Sequence, residues 1–423
     1  LPACVEKSLL YRNLCADNLK KWIYLAEDQA AIRTQLAALS LCAFIADGSI
    51  LPRESGISQK PMKSAVAFTS PASLRVSLDL PHAGKISGMG VSKGITLIVG
   101  GGYHGKSTLL NALELGIYNH IPGDGREYVI TDNTAIKLRA EDGRFIKDVD
   151  ISLFINDLPN KKDTHSFSTE DASGSTSQAA GVIEGMEAGS RLFLIDEDTS
   201  ATNFMVRDAF MQRVISSDKE PITPFTARAR ELYENAGIST ILVAGSSGAF
   251  FHIADTIIQM DNYHAVDITS PVKDLLCEYP VPADSAKPFA LPASKRIMTK
   301  DPQGTPKRRD YRTGAVKNND NDSLKVKVLT RDSFMIGKQT VDLRYVEQLT
   351  DSEQTASLAI LLKYAVEHLI DGKKTVAMIV DELNRIYKRD GMSAFMDGRL
   401  LSGGYTMPRT QEIAACLNRY RRA

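Results

Sequence analysis

The 423-residue chain carries 51 basic and 51 acidic side chains, a formal net charge of +0. Hydrophobic residues make up 43% and charged residues 24%, a balance that excludes a wholly disordered chain and can build two or three domain cores. No apolar run reaches about 18 residues, so a membrane-spanning helix is excluded, and the zero balance excludes a uniformly basic nucleic-acid coat.

The five cysteines, Cys4, Cys15, Cys42, Cys277 and Cys416, are odd in number and widely spaced, with no CxxC. That pattern argues against a disulfide framework or structural zinc site and for a reducing compartment. The chain starts at Leu1 rather than Met, so a natural N-terminus with any cleavable targeting segment is expected to lie upstream.

Four segments are expected in chain order. Residues 1–85 read as an N-terminal α+β region. Leu19, Trp22, Ile23, Leu25, Ala26, Ile32, Leu36 and Leu39 recur at helical spacing and predict a helix over Asp17–Ala46, followed by a turn-rich loop from Asp47 to Gly56. Residues 86–270 alternate apolar strands with helical patterns, which predicts a mostly parallel α/β core. Its clearest strands are Ile95–Val99, Tyr128–Ile130, Leu192–Ile195 and Thr240–Val243. Residues 271–323 form a Pro-, Lys- and Arg-rich connector. Residues 324–423 form a C-terminal α/β or α+β domain, with a strand at Leu324–Leu329 and helices near 352–370 and 375–390. No tandem repeat with a period of 20–50 residues occurs.

The strongest motif is Gly100-Gly101-Gly102-Tyr103-His104-Gly105-Lys106-Ser107, which fits G-x-x-x-x-G-K-[ST] at every fixed position. An apolar strand precedes it and the helical pattern Thr108–Leu115 follows. Glycines let backbone N–H groups converge on phosphate oxygens, and the helix start adds a partial positive charge. Lys106 would reach the β- and γ-phosphates of ATP, and Ser107 would ligate Mg²⁺. The bland alternative is a Gly-rich strand–helix turn. The second motif, Leu192-Phe193-Leu194-Ile195-Asp196-Glu197, is a buried strand ending in two acids. Beside a phosphate loop, Asp196 would hold Mg²⁺ and Glu197 would orient or deprotonate the attacking water. Alone, such acids are as readily a helix cap.

Asp171-Ala172-Ser173-Gly174-Ser175-Thr176-Ser177-Gln178 precedes that strand, and Asp198-Thr199-Ser200-Ala201-Thr202-Asn203 follows it. With the P-loop, this order resembles the ABC-type ATPases, in which a signature loop stands before the Walker B strand and a D-loop after it. The resemblance implies a homodimer with ATP sandwiched between the P-loop of one subunit and the signature loop of the other. By position, Ser173, Gly174 and Ser175 look like the trans phosphate contacts, Thr108 extends the P-loop contacts, and Ser200, Ala201, Thr202 and Asn203 look like the D-loop. A Ser hydroxyl and Gly N–H at a helix start would stabilise charge on the transferred phosphoryl group. Without those neighbours, Ser173-Gly174 reads as an ordinary N-cap turn. Leu401-Ser402-Gly403-Gly404-Tyr405 matches the signature consensus more literally. It lies some 200 residues past the Walker B strand and reads as a Gly turn.

The chain departs from the ABC pattern in three places. Ser246 or Ser247 stands where the switch histidine is expected, and His252 lies a few residues later. A Q-loop glutamine is missing between Glu127 and Asp171, with Asp150 and Ser152 as the residues nearest that place. No aromatic residue precedes the P-loop closely enough to be assigned as the adenine platform. Loss of the histidine bears on turnover more than on nucleotide binding. With these departures, the string Asp196–Phe204, the P-loop and Ala172–Gln178 resemble a narrower branch, the predicted ATPase of the ABC class. The likeness extends to Ala46–Arg53, Lys219–Phe225 and Glu412–Arg419. Within it the chain resembles a mitochondrial RNA-binding member associated with RNA-editing complexes. That implies a mitochondrial setting, with a cytoplasmic one as the alternative, single-stranded RNA (U-rich RNA included) in a basic pore or groove of the homodimer, RNA-editing proteins as partners, and no membrane.

The charge distribution agrees. Eleven Lys or Arg stand against four acids between Leu291 and Arg331, a local charge of +7 that leaves −7 for the remainder. Lys307, Arg308, Arg309 and Arg312 are its densest cluster, and Arg419, Tyr420, Arg421 and Arg422 close the chain. Such residues neutralise phosphates and stack on bases, although a solvated connector has the same composition. The leading expectation is thus an ATP-hydrolysing dimeric clamp on RNA, with catalytic candidates Lys106, Glu197, Ser246 and Ser247. The alternatives are a nucleotide-gated module for a protein partner and the ATP subunit of a transporter.

Overall fold

Every residue of Ile95–Val99 is apolar or β-branched, as suits a strand covered on both faces, and in the computed structural model it is the central strand of a sheet. The structure describes all residues except 57, 208–219, 280–287, 293–295, 300–307, 310–315, 318–323, 397–402 and 422–423. The chain divides into two compact units. The first gathers Leu1–Ala135, Arg191–Thr199 and Thr226–Asp284; the second gathers Ile136–Ser190, Ser200–Phe225 and Ser285–Ala423. The first unit runs across the sequence breaks expected near 85 and 270, and the second joins parts of the expected core to the C-terminal region.

In the first unit, five strands lie in the order His264–Asp267, Thr256–Asp261, Ile95–Val99, Ser239–Val243, Leu192–Asp196. The last four are mutually parallel, and the first is antiparallel to its neighbour. The register sets Val243 opposite Asp196 and Val243 opposite Ile98. The strand ends that carry the candidate chemistry therefore finish level with one another. The helix Lys106–Leu115 buries Leu109, Leu110, Ala112 and Leu113 in one core with Ile98, Leu194 and Ile241. A second, antiparallel sheet runs Arg75–Leu80, Gly84–Ser92, Leu41–Ala46, Val129–Thr131. The helix Ala16–Ala38 lays Ile32 and Leu36 on it, against Leu41, Phe44 and Leu78.

The helix predicted to run to Ala46 thus stops at Ala38, and its last six residues, Leu41–Ala46, are strand. Ser40 turns the chain with φ +54, and all six residues of Leu41–Ala46 are buried. A short, wholly apolar run has no periodicity to separate helix from strand.

The second unit pairs Arg144–Val149 antiparallel with Phe167–Ala172 and leads into the helix Gly174–Glu187. Phe154, Phe204 and Phe225 pack together nearby, with ring centroids 5.0 to 6.4 Å apart. Its C-terminal part is a meander, Val326–Thr330, Ser333–Ile336 and Gln339–Asp342. Helices Ser352–Tyr364, Val376–Asp390 and Thr410–Asn418 share a core with it. Asp351 and Gln354 cap the first of these reciprocally, which contributes about 1 kcal/mol. The strand expected at Leu324–Leu329 forms two residues later, at Val326–Thr330.

A buried ion network crosses this unit. Arg144 pairs with Glu184 of the helix Gly174–Glu187 and, at 3.7 Å, with Glu141; Glu141 in turn receives Arg419 at 2.5 Å. Burial pulls the Arg144 guanidinium down, but Glu184 and Glu141 raise it above its ordinary value. All five cysteines are free; burial pushes the thiols of Cys42 and Cys416 up to about 12, and the other three are exposed.

Candidate nucleotide site

The phosphate loop leaves its strand through Gly100, with φ +144, and enters its helix through Gly105, with φ +100. A side chain at Gly100 would place its Cβ 2.3 Å from the Met260 carbonyl oxygen, and one at Gly105 would meet the Tyr263 ring at 3.1 Å. Both positions therefore need glycine on steric grounds as well as for backbone conformation. Tyr103 stands at the loop's tip with φ +64 and is 99% exposed. Lys106 opens the helix Lys106–Leu115, and Ser107 and Thr108 follow in its first turn. The Lys106 ammonium donates to the carbonyls of Gly100 at 2.7 Å and Gly101 at 2.9 Å.

A brace of long-range contacts fixes this loop. The Asn262 N–H donates to His104 Nδ1 at 2.9 Å, and the Tyr263 N–H donates to the His104 carbonyl at 3.2 Å. Asp261 Oδ1 lies 3.2 Å from the same His104 nitrogen. Asn262 and Tyr263 turn the chain between two strands with positive φ, and neither they nor Asp261 carry a local sequence motif.

Asp196 ends its strand nearly buried, at 8% exposure, and its Oδ1 accepts the Asp198 N–H at 3.2 Å. Glu197 begins the short turn after it. Its carboxylate meets the loop that follows the adjacent strand Ser239–Val243. Oε2 accepts the N–H groups of Gly245 at 2.7 Å and Ser246 at 3.0 Å, and Oε1 accepts the Ser246 hydroxyl at 2.5 Å. Partial burial pushes the Glu197 carboxyl up, but these donors, with the Ser247 N–H, hold it below the usual carboxylate range. Ser246 is thus the serine of the pair that touches Glu197 by its side chain; Ser247 Oγ instead accepts the Ala249 N–H at 3.3 Å. His252 closes the short helix Gly248–His252.

The signature candidates lie in the second unit. Ser173 caps the helix Gly174–Glu187, its Oγ accepting the Thr176 N–H at 3.4 Å. Ser175 donates to Asn203 Oδ1 at 2.6 Å. Gln178 joins this segment to the D-loop candidates, donating to Ser200 Oγ at 2.9 Å and accepting the Ala201 N–H at 2.9 Å. Thr202 and Asn203 open the one-turn helix Thr202–Met205. Asp150 and Ser152 bond each other just after the strand Arg144–Val149, at 2.6 and 3.0 Å.

The RNA candidates are less visible. Lys307 and Arg312 lie outside the described residues. Arg308–Arg309 pair antiparallel with Val316–Lys317, and only their backbone is described. Three members of the basic clusters are occupied inside the fold. Arg296 bonds Glu187 at 2.7 Å and Asn418 at 2.6 Å, Arg419 holds Glu141, and Tyr420 is buried in the C-terminal core. Tyr420 therefore offers no face for base stacking. Leu401 and Ser402 of the decoy also lie outside the described residues, and Gly404 has φ +99.

A hydroxyl at Ser107 and a carboxylate at Asp196 are hard oxygen donors, which suit Mg²⁺. No group of three or more His, Cys, Asp or Glu gathers into a metal site among the described residues. No described helix is long and apolar enough to cross a membrane.

Residues 325–423 match the model of the MRB1590 C-terminal domain. An uncharacterized protein of Methanocaldococcus jannaschii, MJ1628, is 31% identical over 255 residues, 57% of this chain and 55% of the relative. The chain thus spans about half the length of the curated relative it matches. Among solved structures, the ADP conformation of MJ1267, an ATP-binding cassette of an ABC transporter, matches with 12% identity and a TM-score of 0.33, over 56% of this chain and 95% of that one. CbiO1 from Clostridium perfringens, part of the ABC transporter complex cbiONQ, matches with 11% identity and a TM-score of 0.34, over 57% and 92%. Residues 15–296, two thirds of the chain, match the model of the ABC_ATPase P-loop domain, and the chain belongs to that family of P-loop ATPases.

Proposed function

We propose that the chain binds ATP at Gly100–Thr108, hydrolyses it when two copies close, and uses that cycle to hold and release single-stranded RNA. The observation that carries the hydrolytic reading is the register of three parallel strands. It ends the strands of Lys106, Glu197 and Ser246 at one edge of the sheet and brings Glu197 within hydrogen-bond reach of Gly245 and Ser246. Lys106 would trade two backbone carbonyls for phosphate oxygens, which form stronger charge-assisted bonds. Ser107 and Asp196 would hold Mg²⁺, which supplies neutralising charge at the β- and γ-phosphates when bound. Glu197, kept ionised by its donors, is suited to orient or deprotonate water. Ser173, Gly174 and Ser175 of a second copy would complete the phosphate contacts.

The RNA reading is supported by the +7 segment and by the match of residues 325–423 to the MRB1590 C-terminal domain. A mitochondrial setting and RNA-editing partners belong to the same proposal and rest on the branch resemblance. The test is a gel shift with poly-U and with duplex DNA at two salt concentrations. Neutralising Lys307, Arg308 and Arg309 is expected to weaken poly-U binding and flatten its salt slope. Unchanged binding sinks the assignment of those residues. A second reading, a nucleotide-gated module for a protein partner, gains from the internal pairing of Arg296 and Arg419, since those cations are committed within the fold. Failure to shift either nucleic acid at low salt favours it.

A further inference from the structure

We infer that a cavity in the second unit, lined by the strand Gln339–Asp342 and the start of the strand Arg144–Val149, is a binding site for a free nucleoside monophosphate. It shares no residue with the ATP candidates or with the segment Leu291–Arg331, so it rests on neither reading above. The cavity holds about 570 Å³, inside the range of roughly 300–1,000 Å³ that takes one small ligand. Five cations line it, Lys338, Arg344, Arg419, Arg421 and Arg144, against three acids, Glu141, Asp142 and Asp342. Arg144 and Arg419 are committed to Glu184 and Glu141 and contribute only their field. The other three can change partners. The Lys338 side chain is exposed and makes no ion pair or hydrogen bond among the described residues. Arg344 pairs with Asp342 at 2.7 Å, with side chains 63% and 47% exposed. Arg421 lies 3.4 Å from the exposed Glu170. Exposed pairs of this kind are weak and are readily traded for a phosphate.

The charge calls for a terminal phosphate. A phosphate monoester carries about −1.5 to −2 at neutral pH, against one charge for each phosphate inside a nucleic-acid strand. Cations gathered around one cavity therefore favour a free nucleotide over a passing backbone. The remainder of the wall fits a base. Gln339 is half-buried, and its side-chain oxygen and nitrogen are both shielded from solvent with no partner among the described residues. An amide presents one acceptor beside a donor, the pattern that pairs with a base edge. Buried polar atoms left unpaired are costly, and a base edge would satisfy both. Stacking surfaces flank the amide. The Arg421 guanidinium lies 5.9 Å from the centre of the Phe145 ring, and that of Arg344 lies 6.0 Å from the Tyr345 ring. Guanidinium planes and aromatic faces are the surfaces on which single bases stack. Gln339–Asp342 is the outer strand of its meander, so no further strand of that sheet covers this edge.

The test is equilibrium binding of AMP and of ribose 5-phosphate to the full chain and three variants, with poly-U as competitor. The parent is expected to hold AMP more tightly than ribose 5-phosphate, and Lys106→Ala, which disables the P-loop, should retain this binding. Lys338→Ala combined with Arg344→Ala should weaken both ligands about tenfold or more, the size expected for lost bonds to a charged group. Gln339→Leu should weaken AMP about tenfold and leave ribose 5-phosphate unchanged. Its Tm should hold or rise, because an unpaired buried amide is removed, and the retained ribose 5-phosphate serves as the control for folding. Failure of the parent to bind AMP overturns the site. So does AMP binding that vanishes in Lys106→Ala and survives in the cavity variants, since the P-loop is then its place. Equal affinity for AMP and ribose 5-phosphate in the parent leaves a plain anion patch and overturns the nucleotide assignment. Displacement of AMP by poly-U at equal nucleotide concentration makes the cavity part of a strand path and overturns it equally.

Discussion

The loops around Lys106 and Glu197 hold their charges in the opposite way to the network around Arg144. Lys106 and Glu197 bind backbone carbonyls and N–H groups of their own unit, on segments that solvent reaches. Arg144, Glu184, Glu141 and Arg419 bind one another, and all but Arg419 fall among the buried residues. A charge held by backbone near water can change partners at little cost, because water or a ligand replaces what is lost. A charge held by another charge away from water cannot, since either partner left alone bears the full desolvation penalty. The first arrangement suits ligand exchange, and the second fixes geometry.

Four substitutions test that contrast. Glu197→Gln is expected to lower ATP turnover by about 10²–10⁴-fold, the usual contribution of a positioned base, while unfolding free energy moves by no more than about 0.5 kcal/mol. Parental turnover in that variant removes Glu197 from the chemistry. Arg144→Ala should do the reverse, destabilising the fold by about 3–5 kcal/mol in a urea titration because Glu184 loses its buried partner. ADP affinity at the P-loop should change little. A loss below about 1 kcal/mol would show that the network is solvated. Ser173→Ala sits between the two, since Ser173 is both a helix cap and a signature candidate. It should cost about 1 kcal/mol of stability and also reduce turnover; a stability loss with unaltered turnover leaves it only a cap.

The smallest effect is expected at Asp124, whose two carboxylate oxygens accept from Arg53 Nη2 at 2.9 and 3.0 Å and which lies 2.7 Å from His120. Burial pushes its carboxyl up, but His120 and Arg53 hold it below the ordinary 3.8. Its contribution is therefore present above that ordinary value and lost as pH falls through the lower native one. Asp124→Asn should be less stable than the parent at neutral pH, with the two melting curves converging in acid. A gap that persists in acid would mean that shape, not charge, is lost.

Much of the nucleotide site was legible because its parts are short and local. Gly100–Ser107 states its own conformational needs, and Leu192–Asp196 is recognisable as an apolar strand ending in acid. Position alone left Ser246 and Ser247 equal, and only the register of two parallel strands picks out Ser246 as the side-chain partner of Glu197. The brace from Asp261, Asn262 and Tyr263 to His104 spans more than 150 residues and leaves no local trace. Charge counting failed differently. It scored Arg296 and Arg419 as phosphate binders, but the fold spends them on Glu187 and Glu141. Composition records how many cations a segment has, and pairing decides how many face outward.

Tyr103 has a practical consequence. It projects from the tip of the phosphate loop with almost no contact to its own chain. Any surface that closes over a bound nucleotide meets this ring before it meets the phosphates. The chain has a single tryptophan, Trp22, on the helix Ala16–Ala38. Moving the only indole to position 103, by pairing Trp22→Phe with Tyr103→Trp, would turn the loop tip into an optical clock. If two copies close over nucleotide as proposed, its emission would change with each closing, without a label.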